Sequence, residues 1–212
     1  MQLVVMGAGG HAREVLDVLE AVAGEGDPRD WTVLYAEPGA TSPEAAGLVR
    51  ARGYALVDAL PGDATHFLAA VGDPVLRRRL ADLAGRAGLA PGRALSPSAT
   101  VPVEHGGVPG LVCFPRSHVS TGVTLGAHCH LNTGCQVSHD VRIGDFATLG
   151  PGVLLAGAVV VEPEAFLGIG AVVLPGRRVG RGAVVGAGAV VVRDVAPGAT
   201  VAGNPARPLR PR

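Results

Sequence analysis

The chain has 212 residues, of which 48% are hydrophobic and only 3% aromatic, and its formal net charge at neutral pH is zero. This length suits one or two domains with a sizeable aliphatic core. The zero net charge provides no attraction to nucleic acids or anionic membranes, so neither is expected as a partner. All 18 basic residues are arginine, which excludes lysine as a catalytic group.

The amino-terminal sequence MQLVVMGAGG is too short and too rich in glycine for a signal peptide. No apolar run reaches the 18 residues that a membrane span needs. The three cysteines, Cys113, Cys129 and Cys135, are odd in number, and we interpret them as reduced core residues rather than disulfides or metal ligands. We therefore expect a cytoplasmic protein.

The first third of the chain predicts a nucleotide-binding α/β unit. A strand over residues 2–6 leads through the turn GAGGH into a helix over residues 10–23. Glycines in such a turn let the backbone approach a pyrophosphate, which the amino terminus of the helix attracts. The motif GxGGH is by itself a weak signal because it differs from GxGxxG. Further strands are predicted over 31–36, 54–57 and 65–71, and further helices over 43–50 and 74–87.

Four arginines of the last helix are expected on its largely solvated faces: Arg77, Arg78, Arg79 and Arg86. A stretch rich in glycine and proline over residues 87–97 follows this helix. We place the boundary between two domains there, at 1–93 and 94–212.

The second domain is dominated by a repeat of six residues. From Val119 to Val191 an aliphatic residue stands at every sixth position without a miss. This period fits neither an α-helix nor a plain strand. It fits a solenoid in which three hexads close one triangular coil and the aliphatic residues point inward. A small residue usually stands two positions earlier, and a glycine often follows, which we expect to supply corner conformations that a Cβ would hinder.

Five segments in this order resemble the hexapeptide-repeat sugar O- and N-acetyltransferases, which are related to sialic-acid O-acetyltransferase and to the enzymes that acetylate UDP-4-amino-4,6-dideoxy sugars. The resemblance covers nearly the whole chain. It implies a Rossmann-like domain followed by a left-handed parallel β-helix, and a homotrimer with catalytic sites between neighbouring prisms. The segments are GAGGHA at 7–12, VGDPVLRRRL at 71–80, LSPSATV at 95–101, LNTGCQVSHDVRIGDF at 131–146 and VAGNPAR at 201–207.

The residue His139 is the strongest catalytic candidate. It stands two positions after an inward valine, so it should face outward, and imidazole titrates near neutral pH as a general base requires. Spacing alone favours an ordinary surface histidine. The resemblance implies that His139 is the base, that Asp140 orients it, and that Asn132 lies near the reaction centre.

The resemblance also implies acetyl-CoA as the acetyl donor. Gly157 matches a position whose backbone N–H stabilises the oxyanion of the thioester carbonyl, and Ala187 matches the groove that holds the pantetheine arm. The phosphates of coenzyme A need cations near the late coils. Five arginines are available there, and the sequence does not choose among them: Arg177, Arg178, Arg181, Arg193 and Arg207. We take Arg193 as the candidate.

For the acceptor, the resemblance implies a nucleotide-sugar pocket around Gly9, Gly10 and His11, with a second loop at Gly72 and Asp73. For His11 the alternative is a helix-capping residue without ligand contact. Glu37 is a further candidate of this pocket. Many relatives carry acidic residues where this chain has Tyr35-Ala36-Glu37, so the family's contacts to uracil and ribose do not carry over directly.

Two departures bear on activity: Thr148 replaces a second histidine that many relatives have, and Glu162 stands where glycine is usual. We expect an N-acetyltransferase acting on a nucleotide-linked amino sugar. A hydroxyl acceptor, as in sialic-acid O-acetylation, and a non-catalytic nucleotide-sugar-binding trimer remain alternatives.

A zinc site like that of the γ-class carbonic anhydrases needs three convergent ligands, and the histidines do not show that arrangement, so no metal is expected.

Overall fold

The structure is a computed structural model that describes residues 2–24 and 26–209. The chain divides into two compact units after Ser96, three residues beyond the boundary that the sequence suggests. Among the described residues, no helix is both long enough and apolar enough to cross a membrane.

The first unit is built on a five-stranded parallel sheet, whose strands lie in the order β3 (Ala55–Val57), β2 (Thr32–Tyr35), β1 (Leu3–Met6), β4 (His66–Ala69) and β5 (Ala90–Pro91). The central strand β1 is fully buried, as expected for a parallel sheet covered on both faces. The elements are β1 (Leu3–Met6), α1 (Gly10–Val22), a 3₁₀ turn (Pro28–Asp30), β2 (Thr32–Tyr35), α2 (Pro43–Ala51), β3 (Ala55–Val57), β4 (His66–Ala69), α3 (Pro74–Arg86), β5 (Ala90–Pro91) and β6 (Ala94–Leu95).

The predicted elements of this unit are confirmed to within a few residues, but the prediction for Arg77 is wrong. This side chain is fully buried, whereas Arg79 and Arg86 are exposed. The reason is helical periodicity, because Arg77 shares one stripe of α3 with the buried residues Leu80 and Ala84.

The second unit is a parallel β-helix, and the aliphatic residue of every hexad from Val119 to Val191 lies in a strand. Strands three apart in sequence pair in parallel with a register of 18 residues, which is one coil. The strands are β7 (Val112–Cys113), β8 (His118–Val119), β9 (Thr124–Leu125), β10 (His130–Leu131), β11 (Gln136–Val137), β12 (Arg142–Ile143), β13 (Thr148–Leu149), β14 (Leu154–Leu155), β15 (Val160–Val161), β16 (Phe166–Leu167), β17 (Val172–Val173), β18 (Arg178–Val179), β19 (Val184–Val185), β20 (Val190–Val191), β21 (Thr200–Ala202) and β22 (Arg207–Pro208), with a 3₁₀ turn at Val103–His105.

The strands form the three faces of a triangular prism. The first sheet contains β7, β10, β13, β16, β19, β21 and β22, the second β8, β11, β14, β17 and β20, and the third β9, β12, β15 and β18. The chain turns from the second sheet to the third directly after β8, β11, β14 and β17, and after β20 it continues to an isolated bridge between Val195 and Val179 of β18. We call this edge the second–third corner.

The interior of the prism is aliphatic and tightly packed. The small residues that precede the aliphatic positions are buried, including Cys129 and Cys135. All three cysteines are reduced and buried, and burial raises the pKa of the Cys135 thiol to about 12. The interpretation of the cysteines as reduced core residues is therefore confirmed.

The prediction that the glycines which often follow the aliphatic positions supply the corner conformation is wrong. These glycines do not have positive φ; a Cβ on Gly144 would instead lie 2.5 Å from the backbone nitrogen of Pro163 in the next coil. They are needed for close approach between coils. Positive φ falls three residues after the aliphatic position, at every sixth residue from Gly110 to Gly188.

Candidate active site

His139 and Asp140 form an exposed pair at the second–third corner, directly after β11. His139 Nδ1 lies 2.8 Å from Asp140 Oδ2, and the two side chains are 63% and 67% exposed. Because a carboxylate only accepts hydrogen bonds, Nδ1 of the neutral ring carries the proton and donates it to Oδ2. Nε2 then keeps its lone pair. The pair thus has the arrangement of a general base and a residue that orients it.

The backbone of Asp140 supports this arrangement. Its φ of 61° lies in the left-handed region, which aspartate enters more readily than most residues. Its N–H donates to the carbonyl of Thr121 one coil earlier, at 3.1 Å. The coil stacking therefore fixes a conformation in which two consecutive side chains meet.

Gly157 lies against His139 from the next coil. The N–H of the following residue, Ala158, donates to the carbonyl of His139 at 3.0 Å. A Cβ on Gly157 would lie 2.6 Å from Cε1 and 2.7 Å from Nε2 of the His139 ring. The absence of a side chain at Gly157 thus makes room for the His139 ring, and the structure brings these two predicted residues together.

Asn132 and Ala187 lie at a different corner from His139. Each follows a strand of the first sheet, β10 and β19 respectively. The Asn132 side chain is buried, and its Nδ2 donates to the carbonyl of Leu149 at 2.7 Å. Within one copy of the chain, neither residue stands beside the candidate base, so their predicted roles need a neighbouring copy.

Arg193 shares the second–third corner with His139, three coils later. With coils about 4.8 Å apart, the two positions are separated by about 14 Å along the helix axis. Arg193 is exposed and makes no ion pair within the described part of the chain, whereas Arg178 is paired with Glu162 at 2.6 Å. Arg193 is thus available to an anionic ligand.

The glycine-rich turn of the first unit borders a cavity of about 190 Å³. Gly9 precedes α1, and a Cβ there would meet nothing within 4 Å. Glu37 also lines the cavity, and its Oε1 accepts from Arg79 at 2.7 Å. The remaining lining residues are mostly apolar: Gly7, Ala8, Tyr35, Ala36, Ala40, Thr41, Val71, Leu76 and Leu80.

His11 stands in the first turn of α1 with its side chain only 17% exposed. Burial, with a further contribution from the Arg77 guanidinium, lowers the pKa of His11 to about 4. Its imidazole is therefore neutral at physiological pH. Gly10, the residue before it, is the first residue of α1, and Arg13 is the nearest group to a Cβ built there.

Arg77 is the residue of this region whose role the sequence reasoning missed. Its Nη1 donates to the carbonyls of Val71 and Gly72, at 2.9 and 3.2 Å. A buried cation therefore holds the second predicted loop in place. The Asp73 carboxylate caps α3 by accepting from the N–H of Leu76 at 2.7 Å, so its side chain has a structural role whether or not it binds substrate.

The two departures occupy ordinary places in the β-helix. Thr148 is buried in β13, in register with His130 of the preceding coil. Glu162 accepts from Arg178 and from the N–H of Arg181 at 2.8 Å, and these hydrogen bonds lower the pKa of its carboxyl. Among the described residues, no group of three or more histidine, cysteine, aspartate or glutamate side chains could hold a metal ion.

Comparisons with known proteins agree with both units. Residues 2–83 match the family model of the PglD N-terminal domain. The chain is 30% identical over 157 residues to GDP-perosamine N-acetyltransferase of Escherichia coli O157:H7, which covers 74% of this chain and 70% of that protein.

Two solved structures match almost end to end. The acetyltransferase domain of PglB from Neisseria gonorrhoeae, in complex with acetyl coenzyme A, superposes with a TM-score of 0.83 at 29% identity and covers 98% of both chains. PerB from Caulobacter crescentus, in complex with CoA and GDP-perosamine, gives a TM-score of 0.79 at 32% identity and covers 99% of this chain and 98% of PerB. The expected left-handed β-helix behind a Rossmann-like domain is confirmed, and the chain belongs to the hexapeptide-repeat sugar acetyltransferases, a family of acyltransferases.

Proposed function

We propose that this enzyme transfers the acetyl group of acetyl-CoA to the amine of a nucleotide-linked amino sugar. The observation that carries the proposal is the exposed His139–Asp140 pair, whose imidazole ring lies in the space that the missing side chain of Gly157 leaves free. An amine must lose a proton as it attacks a thioester, and a positioned imidazole is suited to accept that proton.

The proposed reaction uses His139 twice. The amine nitrogen attacks the thioester carbonyl carbon while Nε2 takes the proton of the amine. The carbonyl oxygen becomes an oxyanion, which a backbone N–H near Gly157 stabilises. The C–S bond then breaks, the amide forms, and the proton on Nε2 passes to the departing thiolate of CoA. His139 ends the cycle neutral, and Asp140 keeps its ring oriented throughout.

The donor site follows the second–third corner toward the late coils. Arg193 supports this direction because its guanidinium is exposed and forms no ion pair with any described residue, at the same corner as the base and about 14 Å farther along the axis. We assign it to a phosphate of CoA, which guanidinium groups bind well. Ala187 lines the pantetheine groove from a second copy of the chain.

The acceptor site lies at the glycine-rich turn. Open space over Gly9 and Gly10 at the amino terminus of α1 suits a pyrophosphate. The cavity beside Glu37, about 190 Å³, is small against the usual 300–1,000 Å³ of ligand pockets, so it suits one part of a nucleotide rather than a whole nucleotide sugar. The relatives that act on GDP-perosamine favour a GDP-linked 4-amino sugar.

A homotrimer is part of this proposal. The outer face of the second sheet is apolar in its later coils, where Leu154 is exposed and Val172 and Val190 are half-buried. Ile169 is also exposed, at the edge between the first and second sheets. Further copies of the chain packed on this face would cover it and would bring Asn132 and Ala187 of one copy toward His139 of another.

The test is acetyl-CoA turnover with a panel of GDP- and UDP-linked amino sugars, comparing the wild type with His139→Ala. We expect release of free CoA with at least one GDP-linked amino sugar, and a loss of about 10²–10⁴-fold in kcat for the variant. No turnover with any acceptor, or an equally fast variant, would refute the proposal. Mass analysis of the product separates an amide from an ester, because the same base serves amine and hydroxyl acceptors.

A further inference from the structure

We propose that Gly122 is a positioning residue of the active site, which acts by leaving room for the Asp140 carboxylate. The inference rests on the proposed role of His139 as the base. Gly122 occupies the same corner position as Asp140, one coil earlier. A Cβ on Gly122 would lie 2.5 Å from Oδ1 and 3.6 Å from Cγ of Asp140.

The two carboxylate oxygens of Asp140 thus have different neighbours. Oδ2 accepts from His139 Nδ1, and Oδ1 lies directly above Gly122. A carboxylate is planar, so a side chain that pushes Oδ1 away also turns Oδ2 away from the ring. Asp140 is largely exposed, so its carboxylate can rotate away from His139 into solvent. The hydrogen bond to His139 therefore depends on the missing Cβ at position 122.

This close approach is not a general feature of the corners. A Cβ would meet nothing within 4 Å at most other corner glycines with positive φ: Gly134, Gly152, Gly170, Gly176, Gly182 and Gly188. Among the described corner glycines with positive φ, only Gly110 and Gly122 lie beneath a side chain of the next coil, His128 and Asp140 respectively. Position 122 thus favours glycine for two reasons, its φ of 67° and the space that the Asp140 carboxylate occupies.

The consequence for the reaction lies in the tautomer of His139. While Asp140 accepts from Nδ1, the proton of the neutral ring stays on Nδ1 and Nε2 is free to act as a base. When the carboxylate is displaced, the proton distributes over both nitrogens and the ring loses its fixed orientation. Gly122 therefore acts through Asp140 on His139 and does not touch the reacting atoms.

The experiment compares Gly122→Ala with the matched control Gly152→Ala. Both variants place a Cβ at nearly the same positive φ, 67° and 66°, but only the first meets a carboxylate. The tautomer of His139 is read from the ¹⁵N shifts of its ring, assigned with His139→Ala, and Asp140→Asn gives the reference for a lost carboxylate. We expect Gly122→Ala to resemble Asp140→Asn in tautomer and to lose about tenfold in kcat, with Gly152→Ala unchanged in both.

A double variant separates positioning from a general structural effect. In an Asp140→Ala background, Gly122→Ala should cause no further loss of kcat. Gly122→Asn, which carries the same Cβ but tolerates positive φ better, replaces the alanine variant if that one folds poorly.

A wild-type tautomer in the Gly122 variants, or an undiminished loss in the double variant, would overturn the inference. If the wild type turns over no acceptor, the proposed function fails, and the ¹⁵N measurement still decides whether Gly122 positions Asp140.

Discussion

The two histidines assigned to function lie in opposite environments. His139, at a corner of the β-helix, is largely exposed and has a carboxylate 2.8 Å from its Nδ1. His11, at the start of α1, is mostly buried, and burial together with the Arg77 cation lowers its pKa to about 4. One imidazole can exchange its proton with a ligand and with water. The other is held neutral over the whole physiological range.

The two environments suit two different roles for a histidine, that of a general base and that of a binding residue. A general base must gain and lose a proton in each cycle, so it needs access and an orienting partner. A binding residue keeps one pattern of donor and acceptor best when it cannot become charged. The contrast between the exposed corner and the buried turn therefore predicts that changes at His139 alter kcat, whereas changes at His11 alter stability and acceptor binding.

Among changes that keep His139 in place, the largest effect is expected from Gly157→Ala, which alters the surroundings of the exposed histidine. The added Cβ would lie 2.6–2.7 Å from Cε1 and Nε2 of His139, so the exposed ring must swing away. We expect kcat to fall about 100-fold, which corresponds to about 2.7 kcal/mol. The melting temperature should change little, because the displaced group is a mobile side chain rather than backbone. Steady-state kinetics and thermal unfolding measure both quantities.

The same substitution in a His139→Ala background should have no further effect on kcat. A normal kcat for Gly157→Ala would show that the ring position beside Gly157 does not matter to the reaction.

The β-helix could be predicted from sequence because its inward positions obey a strict rule. An aliphatic residue is required at every sixth position when coils stack in register, and a single chain shows that period directly. The role of the following glycine could not be predicted in this way. Whether Gly144 serves a positive φ or a close approach depends on the backbone of Pro163 in the next coil, and this neighbour is invisible to local sequence.

The candidate site was predicted unevenly for the same reason. His139 and Asp140 are neighbours in sequence, and Gly157 lies one coil of 18 residues later, so the period itself aligns them. The buried Arg77 was missed because its charge suggested solvent, although its place on the apolar stripe of α3 indicated burial. The contribution of Gly122 depends on the rotamer of Asp140, which no sequence pattern records.

The next largest effect is the pH dependence of the free energy of unfolding that the buried His11 causes. The pKa of His11 is about 4 in the folded protein and about 6.5 in an unfolded chain. The unfolded state therefore binds the proton first as the pH falls, and stability present above pH 6.5 is lost between pH 6.5 and 4. The loss attributable to His11 at pH 5 is about 2 kcal/mol. Urea unfolding at pH 7 and pH 5, followed by the fluorescence of Trp31, the single tryptophan, measures it.

The matched variant is His11→Asn, which removes the imidazole but keeps a polar side chain. Its stability should fall less between pH 7 and pH 5 than that of the wild type, by the same amount of about 2 kcal/mol. An equal fall in the free energy of unfolding for the two proteins would mean that His11 is protonated in the folded state at pH 5. His11 would then not be held neutral, and the contrast with His139 would be lost.

A smaller effect is expected at the far end of the exposed corner. Arg193→Ala should raise the KM for acetyl-CoA about tenfold, which corresponds to about 1.4 kcal/mol, with kcat nearly unchanged, because a phosphate contact far from the thioester supports binding equally in ground and transition states. Arg142→Ala removes an exposed charge from the third sheet and should leave KM unchanged. A fall in kcat rather than a rise in KM would place Arg193 in the chemistry instead of the binding of the donor.

The smallest expected effect is a change in stability that arises from positive φ in the backbone of the two regions. In the turn before α1 the positive φ belongs to a glycine, Gly7, whereas at the His139 corner Asp140 and Ala158 adopt it with side chains. Ala158→Gly should raise the free energy of unfolding by about 0.5–1 kcal/mol, because relief of left-handed strain exceeds the entropic cost of glycine in the unfolded chain. Gly176→Ala, at the same corner one coil later with a φ of 68°, should lower it by a similar amount. Urea unfolding followed by circular dichroism measures both, and a change of the same sign in the two variants would show that φ strain is not what distinguishes these corners.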